Sequence, residues 1–227
     1  MCRRKITQLA ITLSLVAGSL TSQAQKIDSS YNNSHYQQRL AFFKAMPNQK
    51  NEIVFLGNSI TEAGEWQELL AGKPVVNRGI SGDVTYGIIA RLDEVVSSKP
   101  KKVFVLCGVN DLKRNTPVEV IAENYKRIIH IIQTTSPRTQ IYMQSVLPVV
   151  ESMLGKNYEH VRNEKIVALN KLLQSITQEY KVTYVNLHEV FTDESGSLIK
   201  ELSTDGLHLR MVAYIRWVDY LKSKKYL

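Results

Sequence analysis

Four short stretches of this chain carry groups able to attack a carbonyl, move a proton or hold a developing negative charge. They are Gly57-Asn58-Ser59-Ile60-Thr61, Asn77-Arg78-Gly79-Ile80-Ser81-Gly82-Asp83, Gly108-Val109-Asn110-Asp111 and Asp205-Gly206-Leu207-His208. Acyl transfer by a serine needs a base to take the hydroxyl proton, a group to orient that base, and donors aimed at the oxyanion. Ser59 is the candidate nucleophile and His208 the candidate base. Asp205 lies three residues before His208, a spacing that in a loop lets a carboxylate reach the far nitrogen of a folded-back imidazole. The Ser59 N–H, the Gly82 N–H and the Asn110 side-chain amide are the candidate oxyanion donors.

Each of these residues also has a purely architectural reading. Ser59-Ile60-Thr61-Glu62 fits a capping box, in which the serine accepts from an early helix N–H and the glutamate reaches back. Asp205 can serve as a turn or cap residue and His208 as a surface histidine. Gly82-Asp83 and Asn110 suit ordinary turns. What weighs against these readings is their joint occurrence, in order, at the ends of the elements that would have to carry them.

Those elements follow from hydrophobic pattern. Ile53 to Leu56 is apolar without alternation, as expected of a strand covered on both faces. Pro74 to Asn77, Lys102 to Cys107, Gln140 to Gln144 and Val182 to Asn186 supply four more strands. Between them lie a helix around Trp66 to Leu70, one with Ile88, Leu92, Val95 and Val96 on one face, and one starting at an N-cap Thr116 with Pro117 at its first position. Ile121, Tyr125, Ile128, Ile129 and Ile132 form the buried stripe of that last helix. Ile166, Leu169, Leu173 and Ile176 mark another, Tyr214, Trp217, Val218 and Leu221 a closing one, and Tyr36, Leu40 and Phe43 an opening one over His35 to Met46. Strand and helix alternating through one domain imply an α/β fold, a parallel sheet with helices on both faces. The first three strands each end in a glycine-bearing polar turn, and parallel strands bring those turns to one sheet edge, where such folds bind ligands. Residues 145–157 form a long connection that carries Val149, Val150, Met153 and Leu154, a candidate lid or binding loop.

The 227 residues suit a single domain. Arg3, Arg4 and Lys5 precede an apolar segment, Ile6 to Leu20, and Ser22-Gln23-Ala24 then offers a small-x-small cleavage site. This is the layout of a secretory signal peptide over residues 1–24, with an uncleaved anchor as the alternative. Residues 25–34 read as a polar, disordered tether, and 35–227 as the domain. Loss of Arg3, Arg4 and Lys5 lowers the net charge from +8 to +5 and leaves Cys107 as the one cysteine, so no internal disulfide is available. Cys107 itself reads as a small buried hydrophobe. The basic clusters at Lys99 to Lys102 and Lys222 to Lys225 lack interleaved aromatics and belong to a solvated surface, not to a nucleic-acid site. His35, His130, His160, His188 and His208 are scattered without metal-ligand spacing, so neither a metal nor another cofactor is expected.

The four motifs together resemble those of the SGNH hydrolases, also called GDSL-like esterases, over nearly all of residues 50–221. The resemblance implies a three-layer α/β/α sandwich around a flavodoxin-like five-stranded parallel sheet. It also implies Ser59 as nucleophile, Asp205 and His208 as the rest of the triad, and Gly82 and Asn110 in the oxyanion hole. Two positions depart from the common pattern: Asn58 stands where an aspartate is usual, and Leu209 where a proline commonly follows the histidine. Leu209 and Gln144-Ser145-Val146-Leu147-Pro148 look like the branch of platelet-activating-factor acetylhydrolase subunits and bacterial sialate or other carbohydrate O-acetylesterases. The expectation is an exported esterase acting on a small-molecule or oligosaccharide ester, most simply an O-acetylated sugar. A lysophospholipase or thioesterase, with residues 145–157 lining an acyl groove, is the enzymatic alternative. A non-catalytic carbohydrate-binding protein is the alternative of another class.

Overall fold

The computed structural model describes residues 28–227. The expected signal peptide and the first residues of the tether lie outside the described residues. Five strands, β1 (Ile53–Gly57), β2 (Val75–Gly79), β3 (Lys102–Leu106), β4 (Gln140–Gln144) and β5 (Thr183–Val185), form one parallel sheet in the order β2-β1-β3-β4-β5. β1 is buried along its whole length because it is flanked by β2 and β3 and covered above and below. The five expected strands are all present, and the flavodoxin-like order is the one that sequence alone left to the resemblance.

The helices are α1 (Ser34–Ala45), α2 (Ser59–Glu62), α3 (Trp66–Leu69), α4 (Thr85–Ala90), α5 (Leu92–Ser97), α6 (Val109–Lys113), α7 (Val118–Thr135), α8 (Asn163–Glu179), α9 (Leu187–Phe191) and α10 (Met211–Ser223). Connections from β1 to β2 run one way across the sheet, and those from β2 through β5 run the other. With right-handed crossovers, that reversal sends helices to opposite faces. One face carries an aromatic row in which Trp66 stacks on Phe55 at 3.9 Å, Phe55 on Phe104 at 5.0 Å and Phe104 on Tyr142 at 4.5 Å. Trp217 of α10 meets Trp66 edge-on at 5.0 Å and donates its indole N–H to Gln144. On the other side α7 packs against α4, α5 and α8.

Three local expectations are revised. The helix read through Ile88 to Val96 is broken at Arg91, whose φ of −118° and ψ of 11° leave the helical region. The helix expected to start after an N-cap Thr116 begins one residue later, with extended Pro117 in the cap position and no side-chain cap. Residues 28–33, read as part of a polar tether, lie against the domain. Asp28 pairs with Arg114 at 3.1 Å and Tyr31 packs against Tyr36, whose hydroxyl donates to the Gly87 carbonyl. Cys107 is fully buried, and burial pushes its thiol well above the ordinary range. No helix among the described residues is long and apolar enough to cross a membrane.

Candidate active site

The reversal of connection direction lies between β1 and β3, and the crevice at the carboxyl ends of those two strands is where an open α/β sheet leaves room for a ligand. Ser59 follows β1, Asn110 follows β3, and Gly82 lies in the turn after β2. Asp205 and His208 arrive from the far end of the chain. Tyr214, buried in α10, donates its hydroxyl to the Ile60 carbonyl at 2.8 Å, tying the helix after His208 to the helix that begins at Ser59. Leu207 and Leu209 are buried on either side of His208 and anchor its loop from below.

Ser59 Oγ lies 3.0 Å from His208 Nε2, and His208 Nδ1 lies 2.7 Å from Asp205 Oδ2. A carboxylate only accepts, so the proton on the ring belongs to Nδ1 and the lone pair on Nε2 faces the serine hydroxyl. Asp205 Oδ1 accepts the backbone N–H groups of Leu207 and His208, which fixes the carboxylate while Oδ2 serves the ring. Burial opposes the charge on Asp205, but the bonds from the His208 side chain and from the two N–H groups outweigh it and hold the carboxyl below its usual value. Ser203 closes the loop: its hydroxyl donates to the His208 carbonyl and accepts the Gly206 N–H. The triad is open to solvent, with the Asp205 side chain 53% and the His208 side chain 35% exposed.

The capping-box reading of Ser59 does not hold. Asn58 occupies the N-cap position and its Oδ1 accepts the Ile60 N–H at 3.0 Å, so the Ser59 hydroxyl is left for His208. Glu62 turns away from the cap to accept from Ser81. Asn58 thus does the work that the usual aspartate could do as a cap, without a second carboxylate at a fully buried position.

The donors expected to hold an oxyanion sit in two turns joined to each other. Asn110 Nδ2 gives one hydrogen to the Asp83 carbonyl at 2.9 Å, and its second hydrogen is left for another acceptor. Gly82 has φ +80°, a conformation glycine adopts without strain. Among the described residues the N–H groups of Ser59 and Gly82 have no protein acceptor.

Behind this edge lies a layer that sequence reasoning missed. Arg91, fully buried at the helix break, places Nε and Nη2 each 2.9 Å from Asp83 Oδ2 and gives Nη2 also to the Gly57 carbonyl at 3.1 Å. One guanidinium therefore ties the turn before Ser59 to the turn that holds Gly82. Burial pushes the Asp83 carboxyl up to about 6 even though Arg91 pulls it the other way. Asp111 accepts from both the N–H and the hydroxyl of Thr85, joining α6 to α4. The signal was present: a lone arginine three residues after Ile88 and one before Leu92 falls on an otherwise apolar stripe.

Residues 145–157 do not form a free flap. Ser145 through Val149 are buried, the Val150 N–H donates to the Gly206 carbonyl at 2.8 Å, and Glu151 accepts from Arg162 and from the Asn163 N–H. The segment braces the loop that carries Asp205 and His208.

Comparison with known proteins identifies the family and the fold. The model of the GDSL-like Lipase/Acylhydrolase family matches residues 55–214. The chain is 28% identical over 171 residues to the human platelet-activating factor acetylhydrolase IB subunit alpha2, covering 73% of this chain and 72% of that protein. Among solved structures, a Streptococcus pneumoniae protein provisionally described as a platelet activating factor superposes with a TM-score of 0.77. It shares 32% identity, over 84% of this chain and 92% of that one. A GDSL-like lipase from Bacteroides thetaiotaomicron shares the fold, with a TM-score of 0.72 at 22% identity, over 85% of this chain and 98% of that one.

Proposed function

The chain belongs to the GDSL-like lipase/acylhydrolase family, and from that premise we propose that this ester hydrolase is an exported serine esterase that removes short acyl groups, acetyl above all, from carbohydrates such as O-acetylated sialic acid. The observation that carries the reading is the continuous relay from Ser59 Oγ through His208 to Asp205 Oδ2, at 3.0 and 2.7 Å. Support for the acetyl group comes from the acetylhydrolase relatives. Support for a bulky, hydrophilic alcohol is the exposure of the His208 and Asp205 side chains to solvent. The export signal belongs to the same reading.

In this mechanism His208 Nε2 takes the Ser59 proton as Oγ bonds to the acyl carbon, and Asp205 steadies the imidazolium that results. The carbonyl oxygen becomes the oxyanion, held by the Ser59 and Gly82 N–H groups and the free hydrogen of the Asn110 amide. As the bond to the sugar oxygen breaks, His208 returns the proton to that oxygen and an acyl-enzyme remains on Ser59. Water then attacks the acyl carbon with His208 again as base, releasing the carboxylate and restoring the serine.

Ser59→Ala tests the nucleophile. Hydrolysis of an activated acetate ester should fall by about 10³-fold or more, and an unchanged rate would leave a non-catalytic binding protein as the better reading. Profiling residues 25–227 against acetylated sialic acids, acetylated xylan oligomers and esters of graded chain length tests the substrate. A strong preference for palmitoyl over acetyl esters overturns the acetylesterase reading in favour of a lysophospholipase or thioesterase.

A further inference from the structure

Ile80, Ser81, Gly82 and Asp83 form a β-turn closed by the Asp83 N–H to the Ile80 carbonyl at 3.1 Å, with Gly82 at φ +80° in the third position. That φ belongs to a type II turn. Types I and II differ chiefly by rotation of the central peptide, here Ser81–Gly82, through roughly half a revolution. The Gly82 N–H belongs to that peptide. Its direction depends on ψ of Ser81 and φ of Gly82, and so on where the Ser81 Cα from which that peptide leaves is anchored.

Glu62 holds it. One carboxylate oxygen, Oε2, accepts both the Ser81 N–H at 2.5 Å and the Ser81 hydroxyl at 2.6 Å. The carboxylate is itself braced from α1, with His35 Nε2 at 3.1 Å and Arg39 Nε at 3.3 Å from Oε1, while Arg39 Nη2 donates to the Gly79 carbonyl. Glu62 ends α2, the helix that starts at the nucleophile. It is thus a direct tie between the helix of Ser59 and the turn of Gly82. From the other side, Arg114 Nη2 donates to the Gly82 carbonyl at 3.2 Å.

We propose that Glu62 is a positioning residue for the reaction: its grip on Ser81 anchors the first central residue of the turn to the helix of Ser59, and so places the Gly82 N–H toward the developing oxyanion. The inference rests on the reading of Gly82 as an oxyanion donor. Glu62 touches no substrate atom; it acts through Ser81.

The experiment compares wild type with Glu62→Ala, Glu62→Gln and Glu62→Asp, and with Asn110→Ala as the control for the oxyanion reading. The substrate is an activated acetate ester, and the probe is a small alkylboronic acid that adds to the serine as a tetrahedral anion. Glu62→Ala should lower kcat about tenfold to a hundredfold, less than outright removal of a donor, with KM within about twofold. Boronate affinity should fall in parallel, and the pH–rate midpoint should not move because His208 and Asp205 are untouched. Glu62→Gln, which keeps an acceptor oxygen for Ser81, should restore most of kcat. Glu62→Asp, one methylene short, should not. Wild-type kcat and boronate affinity in Glu62→Ala, beside a slowed Asn110→Ala, overturn the role of Glu62 and leave the oxyanion reading standing. Wild-type kcat in Asn110→Ala overturns the oxyanion reading itself. A loss that Gln does not rescue, or that falls on KM, assigns Glu62 a general structural role and also overturns the proposal. Should Glu62→Ala fail to fold, Glu62→Asp carries the same decision.

Discussion

Asp205 divides its two oxygens between backbone and imidazole, and this division makes it more than a counter-charge. Replacing it by asparagine keeps the shape and an acceptor for the N–H groups of Leu207 and His208, but removes the charge that would stabilise the imidazolium. It also lets the ring turn to the wrong tautomer. Asp205→Asn should lower kcat on an acetate ester by about 10²–10⁴-fold with little change in thermal midpoint, a combination measured by steady-state kinetics beside a melting curve. The ambiguity of Ser59 in the sequence was likewise a matter of one residue. Both a capping serine and a nucleophilic serine fit Ser59-Ile60-Thr61-Glu62, and nothing local separates them. The structure removes the first reading, because Asn58, one position earlier, already caps α2.

At the scale of elements, the site depends on how closely β1 and its following turn approach their neighbours. A Cβ on Gly57 would collide with Thr61 Oγ1 on one side and the Leu106 carbonyl of β3 on the other. The second obstacle is backbone and cannot rotate away. Gly57→Ala should destabilise the protein by about 1–3 kcal/mol or more, read as a lower urea midpoint. Arg91 joins three elements at once: the α4–α5 break, the end of β1 and the Gly82 turn. Arg91→Met leaves Asp83 buried without its partner, a loss of about 3–5 kcal/mol. Adding Asp83→Asn to Arg91→Met should recover part of that loss, since the unpaired charge is then gone. No recovery would show that the damage comes from packing. The helix break at Arg91 was not legible in the apolar spacing of Ile88, Leu92 and Val95, because periodicity registers which positions face inward and not what a buried guanidinium must bend to reach.

For the whole molecule, stability and activity should respond to pH in opposite senses. Burial pushes the Asp111 carboxyl up to about 7, against the pull of the Thr85 N–H and hydroxyl. In the unfolded chain an aspartate titrates at about 3.9. Between those two values the unfolded chain gives up this proton while the folded protein keeps it. The stabilisation is thus complete at low pH and is lost as pH rises through about 7. Asp83, also raised, contributes in the same direction. Asp111→Asn should therefore reduce the fall in urea midpoint measured between mildly acidic and mildly alkaline buffer, and an unchanged slope would remove Asp111 as its source. Hydrolysis should instead decline in acid, because an imidazolium at His208 cannot accept the serine proton.

The amino-acid sequence by itself determined the five strands, most of the helices, the parallel character of the sheet and the order of the four motifs. All of these are written in short-range pattern: unbroken apolar runs where a strand is covered on both faces, helical spacing where one face is buried, glycine where the chain must turn. Only the tertiary structure decided that the strands lie in the order β2-β1-β3-β4-β5, that Tyr214 pins α10 to α2, and that Ser59 and His208, 149 residues apart in the chain, stand 3.0 Å apart. It also decided the layer of Glu62, Asp83, Arg91 and Asp111 behind the site. Pairing of strands, the meeting of distant loops and the partner of a buried charge are set by packing between segments that share no local signal, so no window of sequence contains them.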